Sequence, residues 1–192
     1  ELVEATTEKL KSSGFESKMH LGLVMPNSPS FWAHALAAWR LGGTVVPYNV
    51  REPANVITSA LRYVQASLVI LSNGRADMTS NLELAGIPWA IAPHDAPYKT
   101  SLEVLGAYPG KEDTAVIFYT SGTGGKPKAV PLSHGSLYAN ALTCVEQVEP
   151  IEEGDILLNA LPDSHVLGFS ICGLLPLLLN LSQCMLSSFM PV

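Results

Sequence analysis

Residues 19–92 repeat one beat: a short apolar run, a stretch of helical periodicity, then a break rich in Gly or Pro. The apolar runs are 19–24 (MHLGLV), 45–48 (VVPY), 68–71 (LVIL) and 89–92 (WAIA). After the first run, Ser28 is an N-cap candidate and Pro29 stands at the first helical position, opening a helix to Leu41 that stops at Gly42 and Gly43. The stretch 53–65 carries Val56, Ile57, Ala60, Leu61 and Val64 on one helical face. LVIL ends at the turn Ser72-Asn73-Gly74, and an amphipathic stretch over 2–13, ended by Gly14, precedes the first run. Strands this short and this continuously apolar, alternating with helices, are buried on two sides. They predict an α/β fold, a mostly parallel sheet with helices on both faces and right-handed crossovers.

The beat lapses over 93–113, a polar connection containing Pro and Gly, which separates the alternating units of 1–92 from a second region of the same domain, 114–192. That region reads as a strand at 114–119, a loop, a short strand at 129–132, Ser133 as an N-cap, and a helix over about 134–148. A strand at 155–160, the turn LPDSH, an apolar helix and a last strand near Met185 follow. The apolar stretch 166–181 contains Pro176 and Asn180 and falls short of the ~20 apolar residues a spanning helix needs, so it reads as a buried helix and no transmembrane span is expected.

Composition narrows the chemistry. The 192 residues are 47% hydrophobic and 15% charged, a globular balance. Eleven Lys and Arg against 17 Asp and Glu give a net charge of −6, which argues against a nucleic-acid partner, because phosphate backbones reward a basic face. Any anion site must therefore be local. Cys144, Cys172 and Cys184 have no CxxC spacing and no histidine pairing that would hold a metal, and they read as apolar cysteines in a reducing compartment. The opening ELVEATTEKL is mixed in charge, unlike a signal peptide, and the expected location is cytoplasmic, with the peroxisome left open.

The local anion site presents itself directly after the strand at 114–119. The stretch YTSGTGGKPKAV, residues 119–130, combines Gly122, Gly124 and Gly125 with the hydroxyls of Thr120, Ser121 and Thr123 and the ammonium groups of Lys126 and Lys128. Glycines let backbone N–H groups converge on an anion, hydroxyls add neutral donors, and lysines add charge, which together is phosphate chemistry. Pro127 fixes the backbone between the lysines, which a solvated Gly/Ser turn would not require. The nucleotide P-loop pattern G-x-x-x-x-G-K-[ST] does not fit: Thr120 stands where its first glycine belongs, and Pro127 follows Lys126 in place of Ser or Thr.

The stretch resembles the phosphate loop of the AMP-forming adenylating enzymes (acyl-CoA synthetases, luciferases and peptide-synthetase adenylation domains), whose pattern runs Y-T-S-G-T-T-G-K-P-K-G. It departs from that pattern only at Gly124 and Ala129. Residues 24–49, VMPNSPSFWAHALAAWRLGGTVVPYN, look like an early segment of the same family, and LPDSHVLGFS, residues 161–170, is similar to its L-P-x-x-H-x-x-G stretch. The resemblance implies that Thr120, Ser121, Gly122, Thr123, Gly124, Gly125, Lys126 and Lys128 hold the nucleotide phosphates. It implies that His165 borders the acyl-substrate pocket as the catalytic-site residue. His134, following Ser133, reads as helix-start structure instead.

The implied reaction is ATP-dependent activation of a small carboxylic acid as an acyl-adenylate, with Mg2+ as the metal and coenzyme A or a carrier-protein thiol as acceptor. The family's adenine motif, ribose aspartate and C-terminal catalytic lysine have no counterpart up to Val192, so the chain reads as a piece of the large N-terminal domain, lacking the rest of its own N- and C-terminal domains. An alternative keeps the fold without the reaction: an inactive nucleotide- or acyl-binding module, or a partner-binding fragment, favoured by Gly124 and Ala129. Gly124 tests the difference. Gly124→Thr in a longer form of the protein is expected to offer the phosphates a charge-assisted hydrogen bond worth about tenfold or more in binding, lowering the Michaelis constant for ATP or raising the turnover rate. A positive φ at Gly124 would instead make the β-branched residue harmful. Unchanged or poorer kinetics would show that Gly124 is not a weakened phosphate contact.

Overall fold

The computed structural model describes residues 1–93, 110–120, 128–147, 151–152 and 154–187. Its centre is a six-stranded sheet. The strands are β1 (His20–Val24), β2 (Thr44–Pro47), β3 (Leu68–Ser72), β4 (Trp89–Ala92), β5 (Thr114–Thr120) and β6 (Lys128–Ser133), arranged β4-β3-β1-β2-β5-β6. The first five are mutually parallel; β6 runs antiparallel to β5 at the edge. Helices α1 (Leu2–Ser12), α2 (Pro29–Arg40), α3 (Ala54–Tyr63), α4 (Thr79–Ala85) and α5 (His134–Gln147) complete the main layer structure.

Alternation along β1, β2, β3 and β5 feeds two cores, while in β4, expected to be buried on two sides, Ala90 and Ile91 are exposed. Leu21, Leu23, Val45, Ile70, Val116 and Phe118 point to one side, where they meet Leu10 of α1 and Phe31, Trp32 and Leu36 of α2. Val24, Val46, Val69, Leu71 and Ile117 point to the other, against Ile57 and Leu61 of α3 and Leu82 of α4. A strand buried on both faces has no polar side to offer, which is why these runs read as continuously apolar. Where α3 crosses β1 the approach is close: a Cβ on Gly22 would lie 2.6 Å from Leu61 Cδ2.

The two covering layers follow from the crossovers. The β1–β2 crossover passes through α2 on the first face, and the β2–β3 crossover passes through α3 on the second and steps back over β1. The carboxyl ends of β1 and β2 therefore lead in opposite directions. A crevice opens at such a reversal.

Several local expectations are modified. The helical face over 53–65 is narrower than expected: Ile57 and Leu61 are sealed, but Val56 is 42% exposed, because a residue beside Ile57 is turned about 100° away from the core stripe. Ser72-Asn73-Gly74 is the entry to a 3-10 turn, Asn73–Met78, that leads into α4. The apolar stretch expected as one helix is helical over 166–178 with a π-helical centre, Gly168–Leu174, running into α6 (Leu175–Leu178). Pro176 has no N–H to return to the preceding turn, and the Leu175 N–H bonds the Ser170 carbonyl five residues back. Val166 and Leu167 are exposed, while Phe169, Leu174, Leu175 and Leu177 are buried. The expected strands at 155–160 and near Met185 form β7 (Ile156–Asn159) and β8 (Ser182–Met185), which pair in parallel as a separate two-stranded sheet.

Helix α2 starts as its sequence indicates. Ser28 is extended, its Oγ accepts the Phe31 N–H at 3.1 Å, and Pro29 follows at the first position. Ser28→Ala is expected to cost about 1 kcal/mol of unfolding free energy, the usual price of a lost N-cap, with little change in denaturant m-value. A loss under about 0.3 kcal/mol would show that tertiary packing alone fixes this helix start.

Candidate functional site

The expected phosphate loop falls in sequence between two paired antiparallel strands. β5 and β6 pair in register from Val116↔Leu132 to Thr120↔Lys128, so Thr120 and Lys128 face each other across the ladder at its open end. Both are exposed. Ser121, Gly122, Thr123, Gly124, Gly125 and Lys126 lie outside the described residues. The connection leads from strand to strand, whereas a nucleotide P-loop leads from strand to helix, which agrees with the mismatch in the pattern. Pro131 is tolerated in β6 because this is an edge strand.

The root of the hairpin is anchored. Tyr119, the residue before Thr120, donates its hydroxyl to the Ala60 carbonyl of α3 at 2.7 Å and stacks on Tyr48, with ring centroids 5.4 Å apart. Burial pushes the Tyr119 phenol above its ordinary pKa. Ala129, opposite Tyr119, packs against the second core, so its side chain contributes to packing. His134 is a packing residue: it meets Trp39 edge-on at 5.2 Å, and burial lowers its pKa. Ser133 Oγ accepts the Ser136 N–H at 3.2 Å, as a cap would.

His165 sits on the turn between β7 and the 166–178 helix and is exposed. Its N–H donates to the Pro162 carbonyl at 2.9 Å and its carbonyl accepts the Phe169 N–H at 2.8 Å. Gly168 is required by this turn, since a Cβ there would collide with the Pro162 carbonyl oxygen and approach the Leu161 oxygen at 2.9 Å. Proline, histidine and glycine at this spacing thus describe one compact backbone feature.

That turn is bolted to the start of α2 by residues the sequence reading did not single out. Asn27, Asn159 and Asp163 are all buried. Asn27 donates through Nδ2 to the Leu161 carbonyl at 2.7 Å and to Asn159 Oδ1 at 3.2 Å, and its Oδ1 accepts the Asp163 N–H at 2.8 Å. Asp163 accepts from Asn159 Nδ2 at 3.0 Å and from Trp32 Nε1 at 3.1 Å. Burial raises the Asp163 carboxyl to about 7, a rise moderated by the hydrogen bonds from Asn159 and Trp32. Its titratable neighbour is Cys172, whose thiol is pushed up by burial and by the Asp163 charge.

A cavity of about 160 Å³ opens at the carboxyl ends of β1 and β2, lined by Met25, Asn27, Asn49, Leu161, Pro162 and Ser164 among others. This is the crevice at the reversal of strand order; Leu161, Pro162 and Ser164 of the turn form one of its walls, and His165 follows them without lining it. A larger cavity, about 660 Å³, lies at the amino ends of β1, β2 and β5 between Lys18, His20, Arg40 and Asp113. It is at the opposite end of the sheet from Thr120 and Lys128. The described residues contain no group of three or more His, Cys, Asp or Glu able to hold a metal ion, and no described helix is long and apolar enough to cross a membrane.

The architecture is an open, doubly wound α/β sheet with a loop-bearing hairpin at its carboxyl edge. The chain belongs to the AMP-binding enzyme family, whose pattern it matches over residues 1–191. It is 30% identical over 183 residues to the indoleacetate–CoA ligase of Aromatoleum aromaticum, covering 88% of this chain and 35% of that protein. The fold matches the inhibitor-bound N-terminal domain of FACL13 from Mycobacterium tuberculosis (TM-score 0.83, 23% identity, 98% of this chain and 49% of that one). It likewise matches ATP-bound MatB from Rhodopseudomonas palustris (TM-score 0.82, 24% identity, 98% and 39%). The chain thus spans about a third to a half of the length of these relatives.

The buried carboxyl makes stability depend on pH in a defined sense. Because its folded pKa is raised from 3.8 to about 7, the contribution of Asp163 is fully present below about pH 4, falls as pH rises to about 7 and is flat above. Asp163→Asn removes this dependence, so the wild-type stability measured relative to the variant is expected to fall between pH 5 and pH 8. A wild-type-to-variant difference that stays constant over that window would refute the raised pKa.

Proposed function

We propose that this chain supplies the phosphate-holding hairpin and one wall of the substrate pocket of an ATP-dependent, AMP-forming carboxylate ligase. The observation that carries the reading is the in-register opposition of Thr120 and Lys128 at the two ends of a connection rich in glycine, hydroxyl and lysine, in a chain of the AMP-binding enzyme family. A carboxylate oxygen attacks the α-phosphorus of ATP, the bond to the bridging oxygen breaks and pyrophosphate leaves. A thiol sulfur then attacks the acyl carbon and AMP departs. Coenzyme A is the acceptor favoured by the likeness to the indoleacetate–CoA ligase, with a carrier-protein thiol as the alternative.

Negative charge grows on the departing phosphates, so donors fixed in advance around them lower the barrier. The reading assigns the Lys128 ammonium, the Thr120 hydroxyl and Ser121, Gly122, Thr123, Gly124, Gly125 and Lys126 to the grip on that charge. His165, next to Ser164 of the crevice wall, is assigned to the carboxylate side. Mg2+ would arrive with the nucleotide, and no step is assigned to a protein-held metal. Location is proposed as cytoplasmic, and the acid as a small carboxylic acid.

Two measurements test the reading. In the chain itself, pyrophosphate is expected to shift amide signals of residues 120–128 before others, and Lys128→Ala to weaken that binding about tenfold or more. Unchanged affinity in Lys128→Ala would remove the loop from the site. In a protein extended to the length of its relatives, carboxylate-dependent ATP–pyrophosphate exchange is expected, with His165→Ala raising the Michaelis constant for the acid and leaving that for ATP within about twofold. The 192 residues alone are expected to be inactive in the same assay. Silence of His165→Ala would sink the pocket assignment.

A further inference from the structure

We propose that Asp163 is the positioning residue for His165, deepening the pocket assignment made above and resting on it. His165 is exposed, and its hydrogen bonds among the described residues stay within its own segment: the Pro162 carbonyl, the Phe169 N–H and, from its ring Nδ1, the Leu167 N–H at 3.4 Å. Nothing in that set ties the imidazole to the main sheet. The tie is made two residues earlier. Asp163, 1% exposed, takes one N–H on each carboxylate oxygen, from Asn159 at the end of β7 and from Trp32 of α2, while its own N–H goes to Asn27 at the β1–α2 junction. Asn27 also holds the Leu161 carbonyl, so the turn is gripped on both sides of Pro162.

The chemistry of the grip calls for two acceptor oxygens on one side chain. Both partners of the side-chain oxygens are N–H donors. An asparagine has one acceptor oxygen and one NH2, so in either orientation it sets a donor against a donor. The surroundings are also shaped for this side chain: a Cβ on Gly173 would collide with the Trp32 ring and come within 2.9 Å of Asp163 Oδ1. Trp32 itself is packed between Phe31, Trp39 and Phe169, so the indole N–H is presented from a rigid aromatic cluster. A fixed donor on α2 thereby sets where the turn lies over the crevice.

The test needs no substrate and uses the chain as it stands. In Asp163→Asn, the ring resonances of His165 are expected to shift and the His165 amide to exchange about tenfold faster, while the amides of β1 and β3 keep their protection. A purely global destabilisation would raise exchange everywhere together, and that result overturns the proposal. If Asp163→Asn does not fold, Trp32→Phe decides: it keeps an aromatic ring, removes the indole N–H together with part of the ring volume, and is expected to speed His165 amide exchange about threefold and to move its ring signals the same way while the amides of β1 and β3 keep their protection. Unchanged His165 signals in the folded variant would end the positioning role and leave the pocket assignment standing. A silent His165→Ala in the exchange assay would instead end the pocket assignment while these signals still moved.

Discussion

Everything in this domain depends on burying both faces of β1. A strand sealed by α1 and α2 on one side and by α3 and α4 on the other must be reached by crossovers that leave the sheet in opposite directions. The right-handed rule then decides the rest: α2 and α3 lie on different faces, and the strands they connect separate at their carboxyl ends. The crevice is a by-product of that separation. It is present because two helices cannot both start above the same strand end, and it is lined by residues that follow β1 and β2, Asn27 and Asn49 among them.

Onto this crevice the second region of the chain adds two features of different kinds. The β5–β6 hairpin extends the sheet and is fastened at its root by the bond from Tyr119 to α3. The 161–165 turn is fastened by buried polar bonds to the β1–α2 junction, with helix 166–178 packed behind it through Phe169. One attachment is a backbone ladder and the other a side-chain network. The ladder tolerates changes in side chain; the network is sensitive to a single atom, because each partner left unpaired in a buried site costs its full desolvation.

The local pattern carried a good part of the fold. The strands at 19–24, 68–71 and 89–92 were legible because they are apolar on both faces, and the start of α2 was legible because Ser28 and Pro29 act within one turn. Period alone placed Val56 in the core, yet it faces water, since apolar residues on a half-covered helix outnumber the positions that touch the sheet. The antiparallel return of β6 and the separate β7–β8 pair were not legible, because strand direction is set by partners far along the chain. Of the candidate site residues, Thr120 and Lys128 stood out by the composition of their stretch, and His165 by the resemblance of its turn to a family stretch. Asn27 and Asp163 did not: they are 136 positions apart, and nothing local distinguishes a buried aspartate in LPDSH from an exposed one.

The hairpin register has a consequence for how this segment can change. Residues directly opposite in an antiparallel ladder project to the same side of the sheet, so Thr120 and Lys128 share a side, and that agreement is a matter of parity. One residue gained or lost within β6 would turn Lys128 to the reverse side and bring a core residue of the strand into water. Two would restore the side but shift the lysine by about 7 Å along the strand. Length variation in this part of the molecule is therefore confined to the connection between the strands, and the strands themselves can drift only by exchange of one residue for another.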